Sequence, residues 1–226
     1  NGRVEFDAGQ YIESILDMLA ELAGSVPIAS ADIAQIVLTG QAESLVVLDA
    51  AGEPIMNAIS WMDERSVAEC RQLQEQFTRA DCFAKTGQVA VLPTWPATKI
   101  LWLKHNQPEI FGRAAHYLLL KDYLVYRLTG RMAADLSIAT FSFYTDIFSK
   151  QYWPEMLQAC GIRPEQLPPL TEPCTAIGPL TPEVAARTRF SAGTVVNNGT
   201  LDHFTGMIGT GNLGSGDISL SIGTVT

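Results

Sequence analysis

Apolar and polar positions follow two rhythms along this chain, and the changes of rhythm mark its elements. Tyr11, Ile12, Ile15, Leu16, Leu19 and Leu22 recur at helical spacing, which predicts an amphipathic helix over residues 8 to 23. Two short apolar runs follow, Ile33 to Leu38 and Leu45 to Leu48, separated by the polar link Gly40-Gln41-Ala42-Glu43-Ser44. Both read as strands, and Asp49-Ala50-Ala51-Gly52 reads as the turn after the second. Ile59-Ser60-Trp61 predicts the end of another strand, and Val67, Cys70 and Leu73 share one face of a helix expected over residues 64 to 77. Pro96 opens a helix running past Trp102 to His105, which Pro108 interrupts. His116 to Leu120 is strand-like, Lys121 to Leu128 is helical and stops at Thr129-Gly130, and residues 152 to 160 form a helix stopped by Gly161. The proline-rich stretch Arg163 to Pro182 is expected to be an extended surface connection. Thr194 to Asn197, a helix beginning near Asp202, and Asp217 to Ile222 then predict strand, helix, strand.

This alternation points to an α/β layer architecture. At 226 residues and 47% hydrophobic, the chain has enough apolar surface for a real core. No apolar segment reaches membrane-spanning length, and Asn-Gly-Arg-Val-Glu-Phe-Asp does not read as a secretory signal. The formal net charge of −9 leaves no basic stripe for a nucleic-acid backbone, so a small neutral partner fits better than a polyanion. Cys70, Cys82, Cys160 and Cys174 are scattered without a paired spacing, as reduced thiols in a cytoplasmic protein would be; Cys82 and Cys174 are expected to be buried and inert. His105, His116 and His203 have no metal-ligand spacing, so no protein-held metal is expected. The sequon Asn198-Gly199-Thr200 reads as accidental.

Chemistry gathers at a few junctions. Asp202 follows a strand and opens a helix, so it either caps that helix or points into the crevice where ligands of open α/β sheets collect. There an ionised carboxylate can take a proton from a hydroxyl. Gln41 and Glu43 are two residues apart, which places them on one side in extended geometry; an amide plus a carboxylate suits several hydroxyl groups, or simply a polar hairpin tip. Trp61 and Asp63 offer an aromatic face and a carboxylate, the pairing that grips a sugar, although Asp63 also suits a helix cap. Ser219 to Thr224 runs into Gly223-Thr224, a turn able to offer N–H groups and a hydroxyl to phosphate.

In their order these pieces resemble the FGGY family of carbohydrate kinases. Thr39-Gly40-Gln41 resembles the family's Gly-Gln substrate loop, and Trp61-Met62-Asp63-Glu64-Arg65 its Trp-x-Asp-x-Arg element. Lys99-Ile100-Leu101-Trp102-Leu103 resembles its Lys-x-x-Trp-Leu core. Lys121-Asp122-Tyr123-Leu124, Leu128-Thr129-Gly130, Asp135-x-Ser137-x-Ala139 and Leu167-Pro168-Pro169 continue the likeness in register over nearly the whole chain. The resemblance implies an actin-like, ribonuclease-H-like fold: a mixed sheet with flanking helices, here incomplete at both ends. It implies a first, sugar-binding domain over residues 1–214, lacking the family's N-terminal phosphate hairpin, and the start of a nucleotide-binding domain over 215–226. By analogy Asp202 is the general base, Gln41, Glu43, Trp61, Asp63 and His203 line the sugar pocket, and Gly223 and Thr224 meet phosphate.

ATP and Mg2+ are the implied cofactors and a sugar or polyol the implied substrate; the sequence leaves the oligomeric state open, a homodimer being one form. Two departures leave that substrate open. Ala42 stands where relatives carry a larger residue, and His203 where Asn or Gln is common. The small residue at 42, where glycerol kinases carry Arg, favours a pentulose, hexulose or longer polyol over glycerol. The chain alone is expected not to turn over ATP efficiently. Two other readings use the same residues: an actin-like ATP hydrolase, and a sugar-binding or regulatory domain without phosphotransfer.

Overall fold

The computed structural model describes residues 2–220 apart from positions 26, 28, 30 and 31. Its first half runs β1 (Glu5–Phe6), α1 (Ala8–Ser25), β2 (Gln35–Gly40), β3 (Leu45–Leu48), β4 (Ala58–Ile59), α2 (Val67–Gln76), α3 (Arg79–Thr86), α4 (Pro96–Asn106) and α5 (Pro108–Arg113). The second half runs β5 (His116–Leu119), α6 (Leu120–Thr129), β6 (Ala134–Asp135), α7 (Leu136–Ala139), β7 (Thr145–Asp146), β8 (Gln151–Tyr152), α8 (Pro154–Cys160), β9 (Leu170–Thr171), β10 (Ala176–Pro179), α9 (Pro182–Thr188), β11 (Val195–Leu201) and α10 (Asp202–Gly209).

Two sheets organise these elements. One is antiparallel with strand order β1-β4-β3-β5; the other is mixed, β10-β11-β2, with β11 parallel to β2. Strand β3 explains how the layers stack. All four of its residues are apolar and buried, so both of its faces need cover. Leu45 and Val47 join a core with Leu73 of α2, Ile100 and Leu103 of α4, and Met156 and Leu157 of α8. The alternate residues Val46 and Leu48 face a second core with Ile12 and Leu16 of α1, Tyr123 and Leu128 of α6, and Val184 of α9. Each such fully buried side chain contributes roughly 1.5–3 kcal/mol relative to exposure. Helix α4 is buried along its whole front, from Pro96 to Leu103, with polar Thr98 and Lys99 buried among its apolar residues.

The structure departs from the sequence pattern in several places. Helix α2 starts at Val67, not 64, because the chain first turns around the buried Asp63 carboxylate, which accepts from Arg65 N. Helix α3 was not anticipated; Thr78 and Asp81 form a capping box at its start and Gly87 ends it at φ 71°. Pro108 both ends α4 and opens α5 as its first residue. The proline-rich stretch is not merely a surface connection, since β9 pairs with β6 and β10 with β11, and Leu167 is buried. Its prolines sit at strand ends and first turns, where no ladder N–H is lost. Residues Asp217 to Leu220, expected to begin a strand, carry no regular structure, and Ser221 and Ile222 lie outside the described residues. Among the described residues no helix is long and apolar enough to cross a membrane.

Candidate active site

Strands β2 and β11 run parallel with Gly40 opposite Leu201, so both chains leave the sheet side by side at their carboxyl ends. Beyond Gly40 comes Gln41-Ala42-Glu43; beyond Leu201 comes Asp202-His203. This is the crevice at which open α/β sheets place ligands. A cavity of about 970 Å³ opens there. It gathers Gln41, Glu43, Trp61, Asp202 and His203, and adds Trp95 and Phe141, which the sequence pattern did not single out.

Gln41 and Glu43 reach the cavity by a different geometry from the extended one expected. Ser44 N donates to Ala42 O at 2.9 Å, closing a three-residue turn with Glu43 at φ 70°. A non-glycine residue held at positive φ costs about 1–3 kcal/mol and persists only where its surroundings impose it. Those surroundings are visible. Buried Lys99 on α4 donates Nζ to Glu43 O at 3.0 Å and to Ser60 O at 2.8 Å. Ser44 Oγ donates to Gln41 Oε1 at 2.9 Å and accepts from Trp61 N at 3.0 Å. The loop carrying Gln41 and Glu43 is thereby tied to the turn carrying Trp61. Burial pushes the Glu43 carboxyl up to about 7, against the opposing pull of the Lys99 charge and a hydrogen bond from Thr94. Burial likewise lowers Lys99 to about 8, with Glu43 and Asp63 partly offsetting it.

Asp202 is not the helix cap. Leu201 occupies the cap position of α10 with no side-chain capping bond, and Asp202 is the first helical residue. Its exposed carboxylate accepts from His203 N at 2.7 Å and lies 3.9 Å from His203 Nε2. Asp202 thus lines the cavity at the strand end, in the first turn of α10.

Asp63 does not join this group. It is fully buried outside the cavity lining, where its carboxylate accepts from Val4 N, from Arg65 N at 3.0 Å, and from the Arg65 guanidinium at 2.8 and 2.7 Å. Burial alone would raise its pKa, but these hydrogen bonds win and hold it below the usual carboxylate range. Arg65 also pairs with Glu5 and lies 5.0 Å over the Trp102 ring, so the pair ties β1, the turn after β4, and α4 together. Gly223 and Thr224 lie outside the described residues. Cys82 is buried as expected, but Cys174 is exposed. The sequon residue Asn198 is buried, with its amide donating to Thr171 Oγ1 at 2.8 Å.

A carboxylate at the joint carboxyl ends of two parallel strands thus shares one cavity with an amide, a second carboxylate and two tryptophans. The model of the FGGY family of carbohydrate kinases, N-terminal domain, matches residues 1–209, and the chain belongs to that family. It is 34% identical to the xylulose kinase of Bacillus subtilis over 99% of this chain and 44% of that protein. To an autoinducer-2 kinase of Klebsiella pneumoniae it is 28% identical over 99% of this chain and 42% of that protein. The chain thus spans less than half the length of the curated relatives it matches. Among solved structures, a xylulose kinase from Rhodospirillum rubrum superposes with a TM-score of 0.89 at 26% identity, covering 95% of this chain and 44% of that one. A gluconate kinase from Lactobacillus acidophilus gives 0.86 at 25% identity, over 93% and 42%. The fold is therefore the actin-like, ribonuclease-H-like fold of the FGGY sugar kinases.

Proposed function

We propose that this chain is the sugar-binding part of an ATP-dependent carbohydrate kinase acting on a pentulose or a related ketose or polyol. The observation that carries the reading is the exposed Asp202 carboxylate at the end of β11, sharing one cavity with Glu43, Gln41 and Trp61. Asp202 takes the proton from the acceptor hydroxyl as its oxygen attacks the γ-phosphorus of ATP. The new O–P bond forms as the bond to the bridging oxygen breaks, and ADP leaves. Glu43 and Gln41 accept and donate hydrogen bonds to the sugar's other hydroxyls, Trp61 packs on its C–H face, and His203 adds a polar contact. The small side chain of Ala42 leaves the cavity floor open for a substrate longer than glycerol.

Mg2+ would arrive with the nucleotide phosphates and neutralise their charge, leaving Asp202 free to act as the base. On this reading residues 1–214 form the sugar-binding domain, residues 215–226 begin the nucleotide-binding domain, and Gly223-Thr224 belong to a phosphate loop. The test is a screen by ligand-observed NMR against ketoses, aldoses and polyols, repeated with Glu43→Ala, followed by turnover in the full-length enzyme. Asp202→Asn is expected to keep sugar binding and lower phosphotransfer by roughly 10²–10⁴-fold, the usual contribution of a general base. Near-wild-type turnover in that variant would refute the assignment of the base.

A further inference from the structure

A buried ionic cluster outside the cavity bears on the strand end that carries Asp202. Lys121 on α6 and Asp135 at the end of β6 form an ion pair with both side chains almost wholly out of water. Such a pair is costly to bury and is weak evidence for stability by itself. What it touches is more informative. Lys121 Nζ donates both to the Asp135 carboxylate and to Asn198 O of β11. Asp135 Oδ1 accepts from Ser137 N at 2.8 Å and from Ser137 Oγ at 2.6 Å. Ser137 Oγ in turn accepts from Thr200 Oγ1 at 2.8 Å and from Leu201 N at 3.0 Å. One hydroxyl thus makes three hydrogen bonds, the full capacity of its group. The cluster holds β11 at Asn198, Thr200 and Leu201, the last residues before Asp202.

Asp202 itself is tethered weakly. Its carboxylate is exposed and its hydrogen bond goes to the neighbouring His203 N. Its placement is therefore inherited from the Leu201 backbone.

We propose that Lys121, Asp135 and Ser137 are positioning residues for phosphoryl transfer: through Thr200 and Leu201 they fix where the Asp202 carboxylate stands relative to the acceptor hydroxyl. This rests on the reading of Asp202 as the base. None of the three lines the cavity, so their effect falls on the rate of transfer and not on sugar affinity.

The experiment uses the full-length enzyme with MgATP and D-xylulose. Asp202→Asn is measured first. Ser137→Ala is expected to lower kcat about 10- to 100-fold, the scale of a misplaced catalytic group, while KM and Kd for D-xylulose move less than about twofold on that scale. Thr200→Val removes one of the two contacts to the same hydroxyl, so it lowers kcat less. The double variant falls no further than Ser137→Ala alone. Unchanged kcat in both single variants overturns the proposal. So does a parallel loss of kcat and sugar affinity, which marks a purely structural role. Should Ser137→Ala fail to fold, the isosteric Thr200→Val is decided by the same kcat-against-Kd criterion. An active Asp202→Asn enzyme sinks the base assignment and this inference with it, whereas an inactive one beside a fully active Ser137→Ala enzyme sinks the inference alone.

Discussion

Two carboxylates, twenty residues of sequence apart in the same half of the chain, show how surroundings divide the work. Glu43 is part-buried with its pKa pushed up to about 7 by desolvation. An ionised carboxylate makes stronger hydrogen bonds to hydroxyls than a protonated one. Affinity of this chain for D-xylulose is therefore expected to rise roughly tenfold between pH 6 and 8, measured by calorimetry, and Glu43→Gln is expected to flatten the profile. The opposite sign holds for stability. The folded chain keeps this proton between the ordinary carboxylate range and about pH 7, where the unfolded chain has released it, so the contribution of Glu43 falls as pH rises across that window. Asp63 behaves in reverse. Its folded pKa is lowered, so its contribution is complete above the unfolded carboxylate range and is lost as pH falls through the folded value. Asp63→Asn is expected to cost about 3 kcal/mol at neutral pH, because Arg65 loses a buried partner. Thermal melts would show the gap to wild type narrowing on acidification, while sugar affinity of the folded variant stays unchanged.

Elements inherit their positions from a few local decisions. Between Asn197 and Thr200 the register of β11 against β2 slips, and Gly199 takes φ 57° there. A Cβ on Gly199 would stand 1.7 Å from Leu38 O, a backbone atom of the neighbouring strand. No side-chain adjustment relieves that contact. Gly199→Ala is expected to destabilise the chain by on the order of 3 kcal/mol and to displace the strand end bearing Asp202; chemical denaturation and loss of D-xylulose binding would report both. A Gly199→Ala chain with wild-type stability and affinity would contradict this account of the β11–β2 packing. Most elements were legible from periodicity: α1, β3, α4 and α6 all fall where apolar spacing, an opening proline or a closing glycine put them. Helix α3 was missed although its Thr78-x-x-Asp81 signal is present, because it runs only eight residues and buries only Cys82 and Thr86, too short a stretch for a repeat to be read. The pairing of β9 and β10 was missed because prolines mask short strands whose partners lie far away in sequence.

At the scale of the whole molecule, the chain carries the cavity of the proposed sugar site while spanning less than half of its relatives' length. The purified 226-residue chain is therefore expected to bind sugar without sugar-dependent ATP turnover. A coupled ADP-release assay showing robust turnover by this chain would overturn that division of labour. By itself the sequence determined the α/β alternation and the family likeness, and through that likeness it named Gln41, Glu43, Trp61, Asp202 and His203, which the fold gathers around one cavity. These are local signals: apolar period, turn chemistry and short motifs in order. Tertiary structure alone decided that Asp63 is a buried strut for Arg65, that Glu43 reaches the cavity through a left-handed turn held by Lys99, and that Lys121, Asp135 and Ser137 bear on the Asp202 strand. The physical reason is the same in each case. Burial and long-range partners, Val4 for Asp63, Lys99 for Glu43 and Thr200 for Ser137, come from residues tens of positions away in the chain, which local pattern does not reach.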